Sequence, residues 1–578
     1  MQYLVGTALV LVTWLVLAVV VAALGSGLAL WTQSGPVRVT TLTRSLWWGL
    51  SLLAVLVVGM NVWFPLRGLV PVIIVGSVLV VSLAAFAVGA SRRGWNLEFR
   101  LHRSTAVLLL AFGVAGVYLA AMALGPVTNY DTGLYHLGAI RYAENFPTVP
   151  GLANLHFPFG YANVEFPLAA YLSNGPWGEQ GFRLLNGFLM VLLTVDLVAR
   201  SGARSASPGR YVLLAGMTAA WIPLLALVDY WVTSPTQDSA VLLVTIACAS
   251  YLTQAVAREC EWEANLGVAG ALAILAVLQR PTMVVFTLGV LVVGSVLMVR
   301  RRLSRFSWLN TTFLGILALA AAAGVLARDR LLSGWAQYPL SLYPFPVEWR
   351  SADPAPFREG ILGFHRDPTN VWEAAGTWGW IPGWFARMWS QWETYLLLVG
   401  IALAVVLLMS SVVAGGSVRW RGLIVAMSPS LVMIAAWWTV SPPSYRFAWG
   451  PLITAVTIPI GWAWWRLTLV RASAARPPLL AAVAAIPIVS VVAFSAFLRA
   501  DWGDFTEQGT WVGAPTYRYA PLPAVETTVN RLPSGLEVVA PIEGEQCWDT
   551  FPLCTPLIEP GVAPRGGSIA EGFTRGDE

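Results

Sequence analysis

ANLGVAGALAILAVLQRPTMVVFTLGVLVVGSVLMVRRR, residues 264–302, holds two nearly uncharged apolar runs, 264–279 and 282–299, joined through Arg280 and Pro281 and closed by three arginines. Crossing a bilayer takes about 20 mainly apolar residues in a helix, because in hydrocarbon a backbone must satisfy its own hydrogen bonds. The stretch therefore reads as two antiparallel spans with almost no loop between them. Working outward, similar runs fall at 4–31, 46–65, 69–89, 104–124, 181–199, 211–230, 239–257, 308–327, 394–413, 422–440, 448–465 and 479–498, which makes about 14 in all. Composition agrees: 57% hydrophobic and 11% charged residues, with a mean hydropathy of +0.67, exceed what a soluble fold can bury. The expected fold is an all-α polytopic integral membrane protein, with interfacial helices in its outer loops. The first run has no basic residue ahead of it and is long enough to span, so it reads as a retained helix and not as a signal peptide.

The chain contains no lysine, and its arginines set the orientation. Every second loop is arginine-rich, for example Arg92, Arg93, Arg100 and Arg103, or Arg300, Arg301, Arg302 and Arg305. By the positive-inside rule these loops are cytoplasmic, and both termini then face outward, in a multi-pass cell membrane protein. Most carboxylates fall on the outer side, where the same rule, by purging arginine, would leave acids by default. The division expected is three extra helices in residues 1–103, a membrane core in 104–498 with outer loops 125–180 and 328–393, and an extracytoplasmic tail in 499–578. The tail, with a formal net charge of −7 and much proline and glycine, reads as a small irregular domain. Within it Cys547 and Cys554 in CWDTFPLC are expected to form a disulfide, since the outer milieu is oxidising. Cys248 and Cys260 read as inert thiols.

The first outer loop, GPVTNYDTGLYHLGAIRYAENFPTVPGLANLHFPFGYANVEFPLAAYL from residue 125, is not generic loop composition. Asp131 stands a few residues past a membrane helix, at head-group depth. Tyr135, Gly138 and Tyr142 then share one helical face, with His136 and Arg141 elsewhere on it, as suits a helix lying along the interface. The pattern resembles the membrane-embedded glycosyltransferases of the GT-C class, in which the first outer loop follows a membrane helix and bears an essential acid near its start. The resemblance covers roughly residues 104–498. YDTGLYHLGAIRY, PGLANLH, SPPSYRF and CWDTFPLCTP also look like an uncharacterised group of large bacterial membrane proteins. The GT-C resemblance implies a sugar donor carried on polyprenyl phosphate.

Such a transfer needs a base for the acceptor hydroxyl and cations for the departing phosphate. Asp131 is the candidate base; it could equally be a helix N-cap, as Asp-Thr-Gly often is. His136 could orient the acid or bind phosphate, or be an exposed interfacial histidine without a task. Arg280 in LQRPTM and Arg446 in SPPSYRFAWGP break the charge rule by sitting at outer helix ends. Guanidinium matches phosphate bidentately, although snorkelling to head groups would also place arginine there. Asp238 is either a second acceptor-side carboxylate or the N-terminal charge of its helix. Arg141, His156 and Glu165 complete the candidate substrate-binding set. Six tryptophans crowd WEAAGTWGWIPGWFARMWSQWETY in the third outer segment, as an aromatic belt or as a wall for sugar or polyprenyl.

No P-loop, GxGxxG, HExxH, Cys/His cluster or GxSxG is present. Neither cofactor nor nucleic-acid partner is expected; a divalent metal stays open. The pI of about 9.1 reflects cytoplasmic-loop arginines. The rivals are a cell-envelope transporter or lipid flippase, and an O-antigen polymerase or ligase type of enzyme, which would lean on loop arginine and histidine. The O-antigen type would share the lipid substrate; the lipid bilayer is itself an expected partner, and the acceptor, whether glycan, lipid or protein, stays open.

Overall fold

Each described apolar run becomes a helix, because only an internally bonded backbone survives among hydrocarbon side chains. The computed structural model describes residues 2–99, 103–202, 207–226, 231–257, 261–301, 304–415, 418–470 and 519–576, together with positions 485, 487, 488, 491 and 492. The chain opens with α1 (Gln2–Trp31), α2 (Val39–Asn61), α3 (Leu69–Arg93) and α4 (Arg103–Met122). Next come short pieces: a π-helical turn at Thr132–His136, α5 (Leu137–Asn145), α6 (Leu152–Leu155) and α7 (Glu165–Leu172). Long helices resume with α8 (Leu185–Gly202), α9 (Pro208–Ala226), α10 (Gln237–Val256), α11 (Trp262–Gln279), α12 (Val284–Arg301) and α13 (Arg305–Ser333). A second group of short helices, α14 (Ala355–Arg366), α15 (Val371–Gly376) and α16 (Ile381–Trp389), precedes α17 (Trp392–Val413), α18 (Trp420–Val440) and α19 (Trp449–Val470).

Among the described residues 12 helices are long and apolar enough to cross a membrane. They match every expected span but two. The run at 211–230 is occupied by α9, which is not among the 12 and whose residues 227–230 lie outside the described set. The run at 479–498 lies outside it except for five positions. Residues of both groups of short helices meet around one cavity, which defines the loop face, and the described arginines Arg93, Arg300 and Arg301 lie at the far ends of α3 and α12.

Two packing features hold the frame. Helices α1 and α2 cross at backbone contact: a Cβ on Gly25 would lie 2.0 Å from the Ser45 carbonyl oxygen, and one on Gly49 only 1.7 Å from that of Val21. Small residues allow this approach where no hydrophobic effect drives helices together. On the arginine face, acids secure buried arginines. Arg44 bonds Glu261 at 2.5 Å, Asn265 at 3.1 Å and Gln33 at 2.9 Å. Arg200 bonds Asp196 through both carboxylate oxygens at 2.7 Å, and the Trp47 indole donates to the same acid at 2.9 Å. A buried guanidinium is tolerated because it is paired and fully bonded.

In the described part of the tail, residues 519–576, two short antiparallel hairpins stand in otherwise irregular chain. Strands β1 (Thr527–Arg531) and β2 (Glu537–Pro541) pair with Val529 opposite Val539, and β3 (Val562–Pro564) and β4 (Phe573–Arg575) with Ala563 opposite Thr574. Cys547 and Cys554 are joined, as expected. The closed loop between them lies on the first long loop. Trp548 donates its amide to the Gly133 carbonyl at 2.9 Å, and its ring fills the space where a Cβ on Gly133 would be, 2.7 Å from the nearest ring atom. Gln546 donates to the Tyr130 carbonyl at 2.9 Å, and Tyr142 Oη to that of Pro552 at 2.6 Å.

Candidate functional site

The site grows from the segment after α4. Asn129 starts the helical turn, its side-chain oxygen accepting from the Thr132 amide at 2.9 Å and from the Thr132 hydroxyl at 3.1 Å. Capping is therefore done by Asn129, and Asp131 makes no cap bond. The N-cap alternative for Asp131 is set aside, and its carboxylate stays free for other work. The turn Thr132–His136 is π-helical, with a bond from the Leu137 amide to the Thr132 carbonyl. One extra residue in a turn rotates the side chains beyond it, and such turns recur at functional sites. Here Asp131, Tyr135 and His136 all line one cavity.

That cavity, about 910 Å³, opens on the loop face between the two groups of short helices. Four charged side chains face it as two pairs. Arg280 ends α11, is buried, and is ion-paired with Asp238 in the first turn of α10. Arg446, in the turn before α19, lies with Nη1 3.7 Å from Asp131 Oδ2, both side chains being about one-third exposed. The pairs are tied together: Arg280 Nη1 donates to the Arg446 carbonyl at 3.2 Å, and the two guanidinium groups lie 4.8 and 4.9 Å from the centre of the Phe447 ring. Two cations over one ring draw on its negative face and hold a fixed spacing. Tyr135, Tyr161, Tyr338, Phe357, Phe364 and Trp372 give the cavity its apolar walls.

Three of the sequence-predicted residues, Asp131, Arg280 and Arg446, thus converge, with Asp238 and His136 beside them. Several expectations are corrected. Arg280 does not snorkel; it is buried and neutralised by Asp238, which accounts for its presence at a membrane helix end. His136 is not an exposed interfacial residue but is almost fully buried, 4.5 Å from the Tyr135 ring and 5.2 Å from that of Phe166, with Nδ1 3.3 Å from Thr132 Oγ1. Burial pushes its pKa down to about 4, so it is a neutral imidazole at physiological pH.

Arg141 does not reach the cavity. It is held by Glu144 at 2.9 Å and by Asp549 of the tail at 2.7 Å, which fixes the loop and leaves no role in binding substrate there. Glu165 is wholly buried behind Gln279, and burial pushes its carboxyl up to about 8, so it is a protonated residue behind the wall and not a lining one. His156 lies off the main cavity, in a side chamber. Of the six crowded tryptophans only Trp372 lines the cavity. Trp380 and Trp384 pack on Trp438 at 5.7 and 6.3 Å, and Arg366 lies over the Trp380 ring at 5.1 Å. That cluster anchors α16 to α18.

Sequence reading missed Gln279, His365 and the tyrosines. His365 lies 5.0 Å from the Phe447 ring, its pKa lowered to about 4 by burial and then by Arg446. The signal for it was present: Phe357, Ile361, Phe364 and His365 fall on one face of the amphipathic α14. Among the described residues no three His, Cys, Asp or Glu side chains are grouped to hold a metal. The family model described as domain of unknown function (DUF8201) matches residues 8–453. No curated protein and no solved structure matches the chain.

Proposed function

We propose, from the premise that this chain belongs to the DUF8201 family, that it is a membrane glycosyltransferase moving a sugar from a polyprenyl-phosphate carrier to an acceptor hydroxyl. The observation that carries the reading is the convergence of Asp131, Arg446, Arg280 and His136 on one large cavity with aromatic walls. Asp131 takes the acceptor proton as that oxygen attacks the anomeric carbon. The bond from that carbon to the phosphate oxygen breaks, the electron pair leaves on phosphate, and the configuration inverts. Arg446, only loosely paired at 3.7 Å, turns from Asp131 to the phosphate, while Arg280, neutralised by Asp238, holds the Arg446 backbone through its carbonyl. His136, neutral, donates or accepts a hydrogen bond without competing for the proton. Phe357, Phe364 and Trp372 are exposed as well as lining, and give the prenyl chain an apolar surface reaching the lipid.

The arginine bias supports the orientation: the loop face and both termini lie outside the cytoplasm, in the cell membrane. A transporter or flippase is favoured less, because the charged pairs of the cavity stand at helix ends and not within a discontinuous helix. A polymerase or ligase of the O-antigen type would lean on arginine and histidine of the large outer loop and not on an early acid, and Arg141 of that loop is ion-paired with Glu144 and Asp549. The test is Asp131→Asn in purified protein given polyprenyl-phosphate sugars, following release of polyprenyl phosphate. Loss of a general base predicts a fall in kcat of about 10²- to 10⁴-fold with unchanged membrane insertion. Undiminished release removes Asp131 as base and the mechanism with it.

A further inference from the structure

Beside the main cavity, sharing Tyr338, Pro356 and Phe357 with it, is a second chamber of about 200 Å³. Two residues of its lining carry a buried acceptor atom without a partner. Asn154 donates through Nδ2 to the carbonyls of Trp349 at 3.0 Å and Phe573 at 3.4 Å, and its Oδ1 is buried with no partner. The His156 ring hydrogen-bonds to the Leu134 carbonyl, and its Nε2 is buried with no partner. A bond to a carbonyl fixes the proton on the other ring nitrogen, so Nε2 is an acceptor. Burial, which lowers the pKa of His156 to about 4, keeps it one at physiological pH. Two orphan acceptors call for a ligand that brings hydroxyl donors.

The rest of the lining agrees. The Phe157 ring lies 5.0 Å from Tyr338 and 3.8 Å from Phe357, an aromatic corner for the C–H face of a ring. Arg575 of the tail is paired with Glu559 at 3.5 Å. An adjoining surface pocket of about 500 Å³ continues outward past Arg350, Ser351, Asp353 and Arg575. Across both spaces two arginines face two acids, so no excess charge selects an anion or a cation.

We propose that this chamber binds one neutral polyhydroxylated ring, the terminal sugar of a glycan acceptor whose remaining chain leaves past Arg350 and the tail. The name acceptor rests on the transferase reading; the binding of a neutral sugar does not. The full chain in nanodiscs is examined by saturation-transfer NMR against neutral methyl pyranosides and furanosides, with methyl glucuronide and glucose 6-phosphate as anionic probes. At least one neutral glycoside is expected to give a signal that falls about tenfold in His156→Phe and in Leu557→Trp, and persists in Asp131→Asn. Leu557 lines the chamber from its exposed side, so Leu557→Trp fills it even if the buried His156→Phe does not fold. No neutral signal, a stronger anionic one, or a signal that survives Leu557→Trp overturns the proposal. Sugar binding without donor cleavage would retain the chamber and refute the transferase.

Discussion

Arg280 and Arg446 carry the same charge at the same face, yet their surroundings give them different work. Arg280 is buried on Asp238 and Arg446 is part-exposed and loosely paired. Removing one member of a buried pair leaves an uncompensated charge. Arg280→Gln should therefore lower stability by about 3–5 kcal/mol, and adding Asp238→Asn should restore most of it. Arg446→Gln should leave stability near that of the parent. Thermal unfolding midpoints in detergent decide this; an Arg280→Gln protein as stable as the parent would show that the pair is not closed. These two arginines and Asp131 were legible in sequence because a charge in the wrong place is conspicuous in an apolar chain. The pairing of Arg280 with Asp238 was not, since it joins two helices across 42 residues. Nor was the burial of His136, which depends on the rings of Tyr135 and Phe166 around it.

At the scale of elements, long apolar runs announced themselves and short ones did not. Spans such as α11 and α12 follow from length and hydropathy alone, whereas the π-helical turn at Thr132–His136 has no compositional mark. Its shape is held from outside, by the disulfide-closed loop of the tail. Trp548→Ala, by freeing Gly133 and the turn bearing Asp131, should lower kcat by about 10- to 100-fold, as small displacements of a reacting group do. Because Trp548 is buried, the tail's docking should also weaken, and Trp548→Phe, which refills most of the space, should recover most activity. Reduction of the Cys547–Cys554 bond should act in the same direction. If activity is unaffected by Trp548→Ala, the tail does not position the site. Sequence reading found the disulfide but not the surface it rests on, because Tyr130 and Gln546 are 416 positions apart.

Across the whole molecule the loop face concentrates groups that resist their ordinary charge. His136, His156 and His365 each have pKa values lowered to about 4 from 6.5. Between those values the unfolded chain takes up protons that the folded one refuses, so stability falls as pH drops from about 6.5 towards 4. Glu165 acts oppositely. Raised from 4.5 to about 8, it keeps a proton that the unfolded chain has lost, so its stabilising contribution fades as pH rises through that interval. Thermal midpoints should peak near neutrality, and Glu165→Gln should flatten the fall on the alkaline side and steepen the rise on the acid side; an unchanged profile would show that Glu165 is ionised. The segregation of arginine to one face and long loops to the other was readable from the sequence, since it comes from counting charges between spans. The meeting of 104–202, 231–280 and 335–447 around one cavity was not, because hydropathy says where helices are but not which are neighbours.

The contact of Trp548 with Gly133 also has a meaning in time. Ribosomes add about 5–20 residues per second, so the part of the chain that steadies Asp131 is made roughly 20–80 s after Asp131 itself. During that interval the first long loop already stands at the membrane surface without its clamp. A nascent chain thus lacks this support at Gly133 until its tail has been made, joined at Cys547–Cys554 and docked. The turn beside Asp131 takes its final support from the last part of the chain to be made.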